Sequence, residues 1–377
     1  MYWYTRRKIT VFLLIPLLFI FIFFGCRQFD VKKSGTADVS IYKKYTPYFS
    51  FGFAVGPRHL RTVGDILIFQ ANRLTAENAM KFGPIHPAAG KYNFGDADRI
   101  AGFARKHHMT MTGHTFVWHR QTPSWLFAGL TPGNTRDIEI LKSRLKNHIE
   151  TLIARYGDVV DNWDVVNEAV SDTYGQNYRD ADEGSPWYKF FGSEEYIYWA
   201  YKYAADALAA RGSSAKLYYN DYNVTVSEKL GKILTMVKWL RSKGARIDGI
   251  GLQGHWKLDW PSIGDIKSAI SRISRAGLEI KISELDISVY SEDDWASRTW
   301  EKEKPFTDDV ERRQARRYRD LFNLFRDKSA DISSVTLWGV SDDATWLNTY
   351  PIRRNDYPLL FDDAHKPKLD YFAIVDF

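Results

Sequence analysis

The chain of 377 residues has a single cysteine, Cys26. That excludes an internal disulfide framework and a cysteine-based zinc site. No HExxH or comparable histidine spacing is present among the nine histidines, so no metal is expected. The first run of the main body, Phe51-Gly52-Phe53-Ala54-Val55-Gly56, is not a GxGxxG phosphate loop. Neither a nucleotide nor any other cofactor is expected. The net charge is only +6, with Lys and Arg interspersed among acids. There is no basic stripe of the kind nucleic acid requires. Low-complexity runs are absent as well.

What is abundant is aromatic. Phe, Trp and Tyr make up 15% of the residues, with 13 Trp and 22 Tyr. Most of these rings belong to an ordinary core, yet such richness also suits a cleft that stacks flat, partly apolar ligands. The N-terminus is apolar in a different way. Arg6, Arg7 and Lys8 lead into the run Ile9–Phe24, followed by Gly25 and Cys26. The run is short for a membrane span and fits a signal-peptide apolar region. Gly-Cys directly after it resembles a bacterial lipoprotein signal, which implies lipidation of Cys26, a mature start there and a membrane anchor. Phe23 stands where such signals usually carry Leu. An uncleaved anchor and ordinary secretion remain the alternatives. The expected organisation is a signal over 1–26, a tether over 27–44 and one domain over 45–377.

From Tyr48 onward, short apolar runs alternate with segments of helical period. The runs are Phe49–Val55, Gln70–Ala76, Thr110–Trp118, Val159–Asn167, Lys216–Asn220, Gly249–His255, Glu279–Ile287 and Ser334–Val340. Helices are predicted over Ala97–His107, Asp137–Tyr156, Glu194–Arg211, Val226–Lys243, Ser262–Ala276 and Asp309–Asp327. Leu141, Leu145, His148 and Leu152 carry the period in the second of these. Eight strand–helix units without a composition break predict a single α/β domain, a closed parallel (β/α)8 barrel. A doubly wound sheet is the alternative. Barrel chemistry sits at the C-terminal ends of strands, and there the polar residues gather. They are Glu77-Asn78, His114, Asn167-Glu168, Asn220-Asp221-Tyr222-Asn223, Gln253, His255, Glu284, Asp286 and Trp338.

Glu168 ends the fourth run and Glu284 the seventh, so they face each other across the mouth of an eight-membered ring. Two opposed carboxylates are what glycosidic-bond cleavage uses, one as acid/base and one as nucleophile or water activator. Asp286 lies two residues after Glu284, on the same face. His255 ends the neighbouring strand, where an imidazole can sit between Glu284 and Asp286. A histidine donor favours a charged Glu284 and suits it to nucleophilic attack. Glu168 has only Asn167 and aromatics nearby in sequence, which suits the acid/base role.

TAENAMKF (75–82), GHTFVWHRQTPSWL (113–126), WDVVNEAV (163–170), LYYNDYN (217–223), GIGLQGHW (249–256), ISELDIS (282–288), TLWGVSDDATWL (336–347) and PLLFDD (358–363) together resemble glycoside hydrolase family 10, the (β/α)8 endo-β-1,4-xylanases. The resemblance implies retaining hydrolysis of xylan and xylo-oligosaccharides by a monomer, with Glu168 and Glu284 in the roles above. It implies that Glu77, Asn78 and Lys81 bind the distal glycone sugar, with Trp118 and Gln121 as further glycone contacts. It places His114, Asn167, Gln253 and His255 around the sugar being cleaved. Trp338 and Trp346 would wall that sugar, and Tyr222 would stack an aglycone sugar. Lys81 also reads as a solvated charge or as an i,i+4 partner of Glu77. His119 reads as ordering a loop, and Trp125 as packing. Arg120 departs from the family's usual small residue. The long segment 171–193, with Tyr174, Tyr178, Trp187 and Tyr188, is expected to extend the aglycone side. Two rival functions stand: a β-1,4- or mixed-linkage glucanase, and a non-catalytic surface glycan-binding protein. Bulk from Trp338 and Trp346 where glucose carries its hydroxymethyl group favours xylan, and retention of both acids favours catalysis.

Overall fold

The computed structural model describes residues 36–297 and 303–377. The expected signal over 1–26, with Cys26, lies outside the described residues. Nine strands form the interior: β1 Ser50–Val55, β2 Arg73–Ala76, β3 Thr110–Trp118, β4 Val160–Asn167, β5 Lys216–Asp221, β6 Gly249–Leu252, β7 His255–Lys257, β8 Glu279–Ser288 and β9 Ile332–Leu337. The strands from β1 to β6 follow one another in order, β9 and β8 continue from β1, and a β6–β8 pairing closes a parallel ring of eight. Among the described residues the short β7 pairs only with β8. The predicted (β/α)8 barrel is the fold.

All six predicted helices are present within two residues of their expected ends, as Gly95–Lys106, Thr135–Tyr156, Glu195–Ala209, Ser227–Ser242, Ile263–Arg275 and Asp308–Asp327. Their starts follow from local chemistry. Asn134, Ser262 and Thr307 each accept a hydrogen bond from a backbone N–H of the first turn, satisfying a donor that has no partner within the helix. Leu141, Leu145, His148 and Leu152 all point inward.

Two strand expectations need correction. The run starting at Gln70 enters the sheet only at Arg73, because Gly64–Gln70 is a helix. The run Gly249–His255 is not one strand. It breaks at Gln253-Gly254, where Gly254 adopts φ +84°. A β-carbon there would lie 3.2 Å from Ile282 Cγ2, so glycine alone suits the turn. The break carries His255 onto β7, where it pairs with Asp286.

The barrel lumen is tightly filled. A side chain at Gly113 would overlap the Trp163 ring. The buried Lys281 is paired in the lumen: its Nζ lies 2.7 Å from Asp164 Oδ1 and donates to Asn162 Oδ1 at 3.0 Å. A buried cation without such partners would be costly.

The tether expected over 27–44 does not extend to residue 44. Helix Ile41–Tyr45 buries Ile41 and Tyr45 in the core. Ile41 N donates to Gln70 Oε1 at 2.9 Å, and the Tyr371 hydroxyl donates to Val39 O at 2.6 Å. Two apolar side chains at i,i+4 spacing form a face that a solvated tether would leave in water, so residues 39–45 belong to the body.

Candidate active site

The C-terminal ends of the strands open into a cleft of about 800 Å³. Glu168 directly follows β4 with φ +56°, a conformation uncommon for a residue with a side chain and typical of constrained functional positions. Its backbone N–H donates to Asn220 O at 3.0 Å. Around its carboxylate, Trp118 Nε1 donates at 2.8 Å, Gln253 Nε2 at 2.9 Å and Asn167 Nδ2 at 3.2 Å. The sparse surroundings expected from sequence are therefore corrected: Glu168 sits among three donors. Two of them come from β3 and the β6–β7 turn, which lie far away in the chain.

Glu284 lies within β8, not at its end, and is 4% exposed. It accepts from Asn220 Nδ2 at 2.6 Å. His255 stands where the period-two argument put it, with Nδ1 2.8 Å from Asp286 Oδ2 and Nε2 3.2 Å from Glu284 Oε2. Burial alone would discharge this imidazole, but Asp286 and Glu284 overcome it and push its pKa up to about 10. The ring is thus a cation at neutral pH that donates to both acids. Trp346 Nε1 donates to Asp286 Oδ2 at 2.8 Å, which fixes the second acid in turn.

Asn167 Oδ1 accepts from Asn220 Nδ2 at 3.0 Å and from Gln253 Nε2 at 3.2 Å. A continuous polar chain therefore links Glu168 through Asn167 and Asn220 to Glu284. Asn220 is the residue that sequence reasoning left without a role. It stood in a polar strand end, but no spacing pointed to its contact with Glu284, 64 residues away.

The remaining residues gather on the β2–β3 side. Asn78 Nδ2 donates to Glu77 Oε1, and Lys81 Nζ to Asn78 Oδ1, both at 3.1 Å. Gln121 reaches Asn78 Oδ1 at 3.4 Å. Lys81 is neither solvated nor an ion-pair partner of Glu77. It is buried, with Nζ 4.7 Å from the Trp118 ring centre and 5.8 Å from that of Trp338. Burial lowers its pKa against the pull of Glu284 and Glu77, and burial raises that of Glu77 against Lys81. His114 Nδ1 meets Asp164 at 3.0 Å, and its ring packs edge-on to Trp338. Trp346 lies 5.0 Å from the His255 ring. His119 faces the cleft, with Nδ1 3.9 Å from Glu168 Oε2. Its pKa falls to about 3, mainly through burial, so the ring is neutral. Trp125 packs and donates to His86 O at 2.9 Å.

Strand β2 stands across the barrel from β6, and β3 from β8, so these polar and aromatic groups form one arm of an open cleft and Tyr222, just after β5, stands on the other. A single-chain polymer crossing the mouth passes both carboxylates. Residues 40–377 match the model of glycosyl hydrolase family 10. The chain belongs to glycosyl hydrolase family 10. It is 43% identical over 343 residues to endo-1,4-beta-xylanase A of Caldicellulosiruptor saccharolyticus, which covers 90% of this chain and 96% of that protein. The crystal structure of an endo-1,4-beta-xylanase from Caldicellulosiruptor owensensis superposes with a TM-score of 0.80 at 42% identity, covering 90% of this chain and 99% of the other. A solved mutant structure in complex with xylotriose has a TM-score of 0.81 at 42% identity, covering 90% and 100%.

One expectation about this family 10 chain is corrected in the segment 171–193. The four aromatic residues singled out there are not cleft walls. Trp187 is buried and donates to Trp118 O at 3.0 Å; Tyr178 and Tyr188 pack against the core; Tyr174 is 88% exposed. What the segment sends to the cleft is Arg179. Its Nη2 donates to the Tyr222 hydroxyl at 2.9 Å, and its Nε to Glu168 O at 3.2 Å. Lys229 Nζ sits 3.7 Å from the centre of the Tyr222 ring. Tyr222 is thus held on both its hydroxyl and its ring, a rigid plate at the edge of the cleft.

Proposed function

We propose that the chain is an endo-1,4-β-xylanase that cleaves internal bonds of xylan with retention. The observation that carries this reading is the polar chain Glu168–Asn167–Asn220–Glu284 at the floor of an open cleft. It sets two carboxyl groups on one linkage, and the open ends admit a polymer. Glu284 attacks the sugar carbon while Glu168 protonates the departing oxygen. Glu168 then takes a proton from the water that releases the glycosyl group. Asn167 is the donor for the neighbouring hydroxyl. Aromatic plates take the apolar faces of the sugars, and the Glu77–Asn78–Lys81 group takes their hydroxyls. The names of the related proteins and the xylotriose in one of them support the substrate.

The decisive assay compares reducing-sugar release from xylan and from carboxymethyl cellulose. Xylan is expected to dominate by at least about tenfold, which needs only ~1.4 kcal/mol of discrimination. Dominant release from cellulose would transfer the reading to a glucanase. Binding to xylan without release would make the chain a glycan-binding barrel.

For residues 1–26 the reading is a lipoprotein signal, with Cys26 lipidated, the remaining residues up to the body acting as a tether, and the barrel held at a membrane as a monomer. It rests on the basic start, the apolar run and Gly25-Cys26. Labelled palmitate is expected to enter the wild-type protein and to be lost with Cys26→Ser. Label that survives the substitution would remove the anchor.

A further inference from the structure

Strand β5 works on two faces. Asn220 serves Asn167 and Glu284. Tyr219 and Asp221 lie one residue to either side of it, on the other face of the strand, and both are buried. The Tyr219 hydroxyl accepts from the backbone N–H of Ala169 at 3.0 Å and from that of Val170 at 2.9 Å, and it donates to Asp221 Oδ2 at 2.5 Å. A hydroxyl has one donor and two acceptor positions, so this one is fully used. Asp221 Oδ1 lies 3.0 Å from Nζ of the buried Lys229 and accepts from Tyr222 N at 2.9 Å. Lys229, Asp221 and Tyr219 thus form a bracket that closes on two consecutive backbone amides.

Those amides belong to the two residues that follow Glu168. Glu168 adopts φ +56°, a conformation that persists only where the surroundings enforce it. Trp118, Gln253 and Asn167 donate to its carboxylate, and three donors suit the ionised form. An acid/base gives up a proton and takes one back, so it also needs a support that is indifferent to its charge. The Tyr219 grip touches backbone alone and meets that need. We propose that Tyr219, backed by Asp221 and Lys229, is a positioning residue that keeps Glu168 aimed at the departing oxygen in both protonation states. Because Asp221 also takes the Tyr222 N–H, the acid and the aromatic plate on the far arm of the cleft share one support. The inference rests on the proposed xylanase reading and on Glu168 as its acid.

The test is kcat/KM on xylan and on a dinitrophenyl xylobioside for wild type, Tyr219→Phe and Asp221→Asn. With the second substrate kcat/KM reports only the first step, which needs no proton from Glu168. Active sites are counted by the dinitrophenolate burst from a 2-fluoro xylobioside, so an unfolded fraction drops out of the comparison. Tyr219→Phe is expected to lose about tenfold on xylan, the scale of a small misplacement of a catalytic group, and to stay within about twofold of wild type on the dinitrophenyl substrate. Asp221→Asn keeps an acceptor oxygen for Tyr219 and is expected to lose about threefold on xylan alone; it decides the matter if Tyr219→Phe yields no countable sites. Equal losses on the two substrates, or no loss on xylan, overturn the positioning role while the enzyme reading stands. A wild type that releases no sugar from xylan overturns the enzyme reading and this inference together.

Discussion

Glu284→Ala is expected to reduce xylan hydrolysis by roughly 10⁴-fold or more, with the fold intact by circular dichroism. The size follows from the role. Without the Glu284 carboxylate no glycosyl-enzyme bond forms, and water has no positioned base on that face. The surroundings are built around the missing group. Asn220 Nδ2 and His255 Nε2 both donate to Glu284, and His255 is charged because two acids flank it. Removing one acid leaves an imidazolium with Asp286 alone, which has its own bond to Trp346. Asp286 is held through Oδ2 by His255 and Trp346, in the place of a partner to the imidazole and not of the attacking group. A loss smaller than about 100-fold would take the nucleophile role away from Glu284.

The barrel and its two acids were legible in the sequence because both rest on periodicity. Alternation of apolar runs with helical stripes marks strand–helix units, and a period of two puts Glu284 and Asp286 on one face. What was not legible depends on contacts between elements. Gly254 sits in an apolar run, and nothing in that run announces a left-handed residue; the turn from β6 to β7 sets its positive φ, and packing against Ile282 leaves little room for a β-carbon. Asn220 on β5 touches Glu284 on β8, past the intervening β6, a contact no local window contains. Lys81 carries the charge of a surface residue, yet it is buried between two indole rings. Cation–π contact makes that burial tolerable, and it has no sequence period. In 171–193 the aromatic side chains drew attention, whereas packing used them as core and sent Arg179 to the cleft. Aromatic composition reports apolar area, not the direction it faces.

Glu168→Ala is expected to separate the two halves of the reaction. On xylan the loss should be about 10²–10⁴-fold, the usual contribution of a positioned acid. An aryl xylobioside with a dinitrophenolate leaving group needs no proton to depart, so its first step should run close to the wild-type rate. The second step still lacks its base, so a glycosyl-enzyme should accumulate after an initial burst. Added azide attacks without surrendering a proton, and it should restore turnover and give a β-glycosyl azide. No other residue supplies these effects. Trp118, Gln253 and Asn167 surround Glu168 as donors only, and His119, the nearest titratable ring, is held neutral to about pH 3 by burial. Measured by burst amplitude and by azide product, equal losses on xylan and on the dinitrophenyl substrate, with no azide effect, would mean that Glu168 shapes the cleft without moving a proton. The unusual backbone at Glu168, tied to Asn220 O and to Arg179, would then serve the position of Trp118 and Gln253 alone. A proton shuttle is the simpler reason for holding a carboxyl group there, at the end of a strand and facing the oxygen that departs.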